Sequence, residues 1–247
     1  MDRVPALNAG AQIKGGGLSS FWLKIIACAV MLVDHSALVA PAALGGWYTA
    51  MRCVGRIAFP LFAYQLASGY AHTSDVRRYM LRMAAFAVIS QAPFYMFLSP
   101  VSHGVGLNIF FTLLLGVMCA YVNDNCPWKW AAVTFCGLAI AAGDVCDVDY
   151  GAWGVTLVFM FCACGPDRRM ALAMFAALAA VKFAPQMLTA PSMALSYYLP
   201  MTLCTLASSA LMLAHSGRRG RRTGLAVYIF YPAHLALLYA VRALLVR

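Results

Sequence analysis

Apolar residues run almost unbroken through most of this chain, and short polar breaks separate the runs. Runs of about 15–22 residues, close to the length of a bilayer crossing, lie near 21–40, 55–71, 79–98, 107–122, 128–142, 151–165, 169–183, 193–214 and 224–245. The ten-residue alternation of a membrane barrel is absent. In lipid only helices or closed barrels satisfy every backbone group. The pattern therefore predicts an all-α fold, a polytopic transmembrane helix bundle of about nine spans. Brief loops make residues 21–247 a single helical domain of antiparallel neighbours. Residues 1–20, too polar for the core of a signal peptide, read as a flexible cytoplasmic tail.

Composition sharpens the picture. Of the 247 residues, 63% are hydrophobic and 11% charged, against about 25% charged in ordinary soluble domains. There is no glutamate; eight aspartates face fourteen arginines and four lysines. A net charge of +10 is better explained by topology than by nucleic acid, because cytoplasmic loops collect Lys and Arg. With the N-terminus inside, the internal segments hold Arg3, Lys14, Arg77, Arg78, Lys129, Arg168, Arg169, Arg218, Arg219, Arg221 and Arg222. The outer loops hold Arg52, Arg56 and the acidic run with Asp144, Asp147 and Asp149. The orientation expected is N-in and C-out. The run "GRRGRR" serves as an anchor for that topology or as a contact for anionic membrane lipid. Trp47, Trp128 and Trp130 fall near span ends, as an interfacial belt does. Most of the nine cysteines lie in apolar runs, where Cys acts as a small hydrophobe; Cys53 and Cys146 are the pair able to face an oxidising compartment. No zinc spacing, phosphate loop or nucleophile elbow occurs, so no metal is expected.

Once the spans are oriented, polar residues gather in the outer half of the membrane. His35 of "MLVDHSALVA" sits about 6 Å outward of the centre of the first span. Arg52 and Arg56, four apart, share one helical face at the mouth of the second. Gln91, Asn108, Asp149, Tyr150, Tyr231 and His234 complete the layer from later spans. A charge at the bilayer centre costs roughly 2.5–3.5 kcal/mol, so Asp34 is expected to pair with Arg56. Such a pair, with satellite hydrogen bonds, also serves simply to hold helices together. Adjacent helical residues point about 100° apart, so Asp34 cannot orient the His35 ring, and Asp149 or His234 must. Lys24 precedes His35 by eleven residues, about three turns, on the same face. There it either snorkels or meets the head of a long anionic donor shaped like coenzyme A, with His35 at the tip. In "AHTSDVRRY", Ser74 or Thr73 is expected to cap the third span, and His72, Arg77 and Arg78 face the cytoplasm beside a donor. His103 and His215 are expected at the surface.

The blocks "LKIIACAVMLVDH", "RCVGRIAFPLFAY", "SGYAHTSDVRRYMLRMAAFAVISQAPF", "LNIFFTLLLG", "DVDYGAWGV" and "FYPAHLALLY" resemble the TraX family and follow its order from Leu23 to Tyr239. The family's namesake is an inner-membrane enzyme that acetylates the N-terminus of conjugative pilin. The resemblance implies a bacterial inner-membrane, multi-pass acetyltransferase with acetyl-CoA as donor and His35 as the acyl-handling histidine. Asp34, Arg52 and Arg56 would stand around that histidine. Many members carry glutamate where this chain has Gln91, so an acid–base role at that position is absent here. The acceptor implied is a pilin subunit, or a lipid-linked envelope glycan by similarity to sugar O-acetylating membrane enzymes. Two other classes fit the residues: a transporter or flippase using the polar layer at mid-membrane depth, and an assembly factor held by a buried ion-pair network.

Overall fold

The structure, a computed structural model, describes residues 17–102, 104–164 and 168–245. Residues 1–16, most of the expected tail, lie outside the described residues, as does His103. The helices are α1 (Ser20–Ala37), α2 (Pro41–Leu44), α3 (Gly46–Gly55), α4 (Ala58–His72), α5 (Val76–Leu98), α6 (Ile109–Asn125), α7 (Lys129–Val145), α8 (Gly151–Ala163), α9 (Arg168–Thr189) and α10 (Pro191–Met193). A π-helical turn at Ala194–Tyr198 leads into α11 (Leu199–Leu213), and α12 (Ala226–Leu245) follows. Each apolar run read from the sequence contains one of these helices, and no strand forms among the described residues.

Four helices, α1, α5, α9 and α12, are long and apolar enough to cross a membrane, whereas α6 and α8 are apolar but shorter. Leu81, Val88 and Ile89 of α5, Val181 and Leu188 of α9, and Leu237 and Leu244 of α12 stand exposed. Water disfavours so much bare apolar surface, while lipid tails accept it. The protein is a helical membrane protein.

Boundaries depart from the hydropathy pattern where local backbone chemistry intervenes. The first run ends at Ala37 because Leu38 and Val39 bond back three residues, to the carbonyls of His35 and Ser36, and Pro41 follows. A separate helix, α3, precedes the second run and ends at its first residue: Arg56 and Ile57 bond to the Cys53 and Val54 carbonyls, again three residues back, before α4 begins. Arg52 and Arg56 therefore sit on α3 and its last turn, not at the head of one long span. Asp75, rather than Ser74 or Thr73, caps α5; its Oδ1 accepts from the Arg78 N–H at 3.0 Å.

The chain divides into two compact units, with boundaries inside α4 and α9. The first, residues 66–171, packs α6 against α8 and α7 around Cys119, Cys136, Ala139, Val148 and Val155. Gly116 lets α6 approach so closely that a Cβ there would strike Val158, the small-residue contact that membrane helices favour. The loop before α6 is locked by polar groups. Asn108 caps α6 through Oδ1 to the Phe110 N–H (3.0 Å), and its Nδ2 donates to the Ala87 carbonyl (2.7 Å) and to Gln91 Oε1 (2.8 Å). Gln91 Nε2 donates to the Gly106 carbonyl at 2.8 Å. Leu107 donates to the Asp147 carbonyl and accepts from the Asp149 N–H of the acidic turn, where Asp147 and Tyr150 take left-handed φ angles of 49° and 67°.

The second unit comprises residues 17–65 and 172–245 among those described. Here α1 packs on α3 and α12, and α11 packs on α3. Cys53, Phe183 and Met201 form a small core, and all nine cysteines are free thiols. Arg242 of α12 is buried, and its Nε donates to the Val39 carbonyl at 3.3 Å while its Nη2 donates to the Leu38 carbonyl. A guanidinium thus closes the C-terminal end of α1, where carbonyls lack helical partners and the dipole favours a cation.

Asn108 is completely buried, and Asn108→Ala would leave a carbonyl, an N–H and Gln91 short of partners. Each unsatisfied buried group costs about 1–3 kcal/mol. The thermal midpoint of the detergent-solubilised protein should fall by several degrees. An unchanged midpoint would show that this network does not hold α5 to α6.

Candidate active site

The second unit's chemistry starts from two neighbouring residues of α1 that point different ways. Asp34 faces α3: Arg52 Nη1 lies 2.8 Å from Oδ2, and Arg56 Nη2 lies 3.0 Å from both carboxylate oxygens. The pairing with Arg56 expected from depth is present, and Arg52 joins it. Gly55 makes this approach possible, because a Cβ there would overlap Cβ, Cγ and Oδ1 of Asp34. Two guanidiniums share one carboxylate, so the cluster keeps a net charge of +1.

His35, about 100° further round the helix, faces α12. Its Nδ1 lies 2.7 Å from His234 Nε2, and His234 Nδ1 lies 2.8 Å from the Phe230 carbonyl. A carbonyl only accepts, so His234 Nδ1 carries a proton and, in the neutral ring, Nε2 holds the lone pair. His35 Nδ1–H then donates to His234, and His35 keeps its basic lone pair at Nε2. The rings are nearly coplanar, 15° apart with centroids at 5.0 Å, as an in-plane N–H···N bond requires. Phe230 stacks on His234 at 4.8 Å, and Tyr231 meets its ring edge-on at 5.7 Å. Of the two orienting partners open from the sequence, His234 is the one placed against His35. Asp34 and His35 are consecutive in α1, so the histidine pair and the cation cluster stand at the same level of that helix.

Most of the other expected residues have partners of their own. Lys24 is on α1, eleven residues before His35 and about 16 Å along the axis. Gln91 and Asn108 bond each other and backbone in the first unit. Thr112 Oγ1 donates to the Asp149 carbonyl, and Tyr150 precedes α8 with its ring 6.0 Å from Trp153. These four serve the loops between helices. An ionised glutamate at position 91 could not donate to the Gly106 carbonyl as the Gln91 amide does. At the N-terminal end of α5, Arg78 Nε pairs with Asp75 at 3.1 Å and Arg77 is exposed. His72 Nδ1 donates to the Ser68 carbonyl at 2.7 Å.

One expectation is overturned. His215, assigned to the surface from its place at a helix end, is fully buried. Its Nε2 lies 3.0 Å from Ser20 Oγ and its Nδ1 lies 3.2 Å from the Tyr64 hydroxyl. Both partners are remote in the chain, so no local pattern signals the contact. Among the described residues, no group of three or more His, Cys, Asp or Glu is placed to hold a metal ion.

The TraX protein family matches residues 19–242, which takes in every element of this site. The chain belongs to the TraX family. It is also 29% identical over 243 residues to a protein of Dichelobacter nodosus named "Probable fimbrial assembly protein FimC, serogroup H1", covering 92% of this chain and 97% of that one. No solved structure matches. Within this TraX family member, Gly55→Ala should separate Asp34 from the arginines and destabilise the fold by about 1–3 kcal/mol, the usual cost of overpacking. Gly137→Ala, whose Cβ meets open space, is the matched control and should be neutral or stabilising by about 0.5–1 kcal/mol. Equal unfolding midpoints for the two variants would refute the close approach.

Proposed function

We propose that this TraX family protein is an acetyltransferase of the bacterial inner membrane, moving an acetyl group from cytoplasmic acetyl-CoA to the N-terminal amine of a pilin or fimbrial subunit. The observation that carries it is the His35–His234 bond, one residue along α1 from the Asp34 carboxylate that Arg52 and Arg56 share. The fimbrial assembly name of the Dichelobacter relative supports the choice of acceptor. In this reading the chain crosses the membrane nine times with its N-terminus inside, as the Lys and Arg of the internal segments favour.

The chemistry needs a base, an oxyanion partner and a leaving thiolate. His35 Nε2 takes a proton from the acceptor amine as its nitrogen forms a bond to the acetyl carbonyl carbon. Charge passes to the carbonyl oxygen, where Arg52 or Arg56 stabilises it. Collapse breaks the C–S bond, coenzyme A leaves as thiolate, and the proton held by His35 returns to the sulfur. His234 keeps the His35 proton on Nδ1 throughout, so the base faces the reaction through one nitrogen only.

Transfer of labelled acetyl from acetyl-CoA to a pilin N-terminal peptide tests this with purified protein. His35→Ala should lower the rate by about 10²-fold or more, the ordinary range for a general base. His234→Ala should keep measurable transfer at about a tenth of the rate and lose the wild-type pH profile. Undiminished transfer by His35→Ala removes this histidine from the chemistry.

A further inference from the structure

The run "GRRGRR" needs only charge to act as a topological anchor, yet the structure builds it into a fixed shape. Residues 214–219 lie alongside the start of α1: Leu18 N–H donates to the Ala214 carbonyl (2.8 Å), Ser216 to Leu18 (2.8 Å), Ser20 to Arg218 (2.9 Å) and Phe21 to Arg219 (3.1 Å). Buried His215 pins the turn from beneath through Ser20 and Tyr64. Gly220, at φ +70, presses so closely on Ser19 and Phe21 that a Cβ would collide with both. Between loop and helix lies a cavity of about 380 Å³ lined by Ser19, Phe21, Trp22, Ile25, Gly220 and Arg221.

Charge around the cavity is unbalanced. Among the described residues, this unit holds nine Lys and Arg but one carboxylate, Asp34. That carboxylate is already taken by Arg52 and Arg56, fourteen residues along α1 from Ser20, or about 20 Å. Arg219 also lies within electrostatic range of the like-charged Lys24. Among the described residues no carboxylate of this unit stands at the loop, whose exposed arginines therefore attract anions. Trp22 is 55% exposed at the cavity wall and offers a flat ring on which a base can stack. Trp22 stands about 140° from the His35 face of α1 but its neighbour in the cavity wall, Phe21, about 40° from it, so a ligand stacked on Trp22 passes Phe21 to run along the helix to the base.

We infer that this cavity binds the phosphate-bearing nucleotide end of the acyl-CoA donor, with Arg219 and Arg221 on the phosphates and Trp22 against the adenine. The inference rests on the acetyl-transfer reading and assigns the donor to residues 19–25 and 218–222 rather than to His72, Arg77 and Arg78. Anionic lipid carries phosphate too, and the experiment separates the two sources.

Purified full-length protein is titrated with adenosine 3′,5′-bisphosphate by calorimetry. Wild type and His35→Ala should bind it equally, and the double substitution Arg219→Ala/Arg221→Ala should weaken binding at least tenfold. The same variant should raise KM for acetyl-CoA with little change in kcat, as loss of uniform binding does. Independently of any variant, the bisphosphate should protect Arg218–Arg222 of the wild type from trypsin. Absence of protection, or undiminished affinity in the double variant while acetyl transfer persists, overturns the donor site and leaves the proposed reaction standing. Protection by phosphatidylglycerol vesicles that the bisphosphate cannot displace overturns it in favour of lipid. Arginine-dependent bisphosphate binding by a wild type that transfers no acetyl group upholds the phosphate site and sinks the acetyltransferase.

Discussion

The Asp34 carboxylate, held between two guanidiniums, is the constraint on which the second unit depends. Inside a membrane an isolated carboxylate is costly, and it persists when a partner of opposite charge is close. The pairing explains why α3 exists as a separate helix: Arg52 and Arg56 must both reach α1, and the chain turns three residues back at Cys53 and Val54 to allow it. It explains Gly55, where a Cβ would collide with the Asp34 side chain. It also sets the direction of the next residue. Because Asp34 is committed to α3, His35 is turned towards α12 and towards His234.

The two units use polarity differently. In residues 66–171, Gln91, Asn108 and Thr112 spend their hydrogen bonds on backbone carbonyls and on each other, which stiffens turns where helices end. Among the described residues charges there are nearly even, six Lys and Arg against five Asp. In residues 17–65 and 172–245 the balance is strongly positive, and the histidines bond one another or hydroxyls. Interhelical amides give rigidity, whereas an excess of cations gives a unit of positive potential.

Much of this was legible in the sequence. The helical segments follow from apolar run length, the Asp34–Arg56 pair from matched depth, and the parting of Asp34 from His35 from the 100° step of the helix. The break between α3 and α4 was not legible, because hydropathy does not record carbonyls bonded three residues back. Depth placed Gln91 and Asn108 in the polar layer but could not record that their side chains bond backbone carbonyls and each other. His215 was misplaced for a related reason. Its partners Ser20 and Tyr64 lie 195 and 151 residues away, and local pattern carries no trace of so distant a contact.

Those long separations bear on how the protein is made. His35 enters the membrane with the first helix, yet its partner His234 lies 199 residues later. At about 5–20 residues per second of synthesis, that is a wait of roughly 10–40 s. The N-terminal turn that meets Ala214 and Ser216 waits almost as long. A nascent chain therefore carries an imidazole without its fixed tautomer and a first helix without its arginine loop. The His35–His234 bond forms only after α12 has been made, so the fixed tautomer of His35 arises late in assembly.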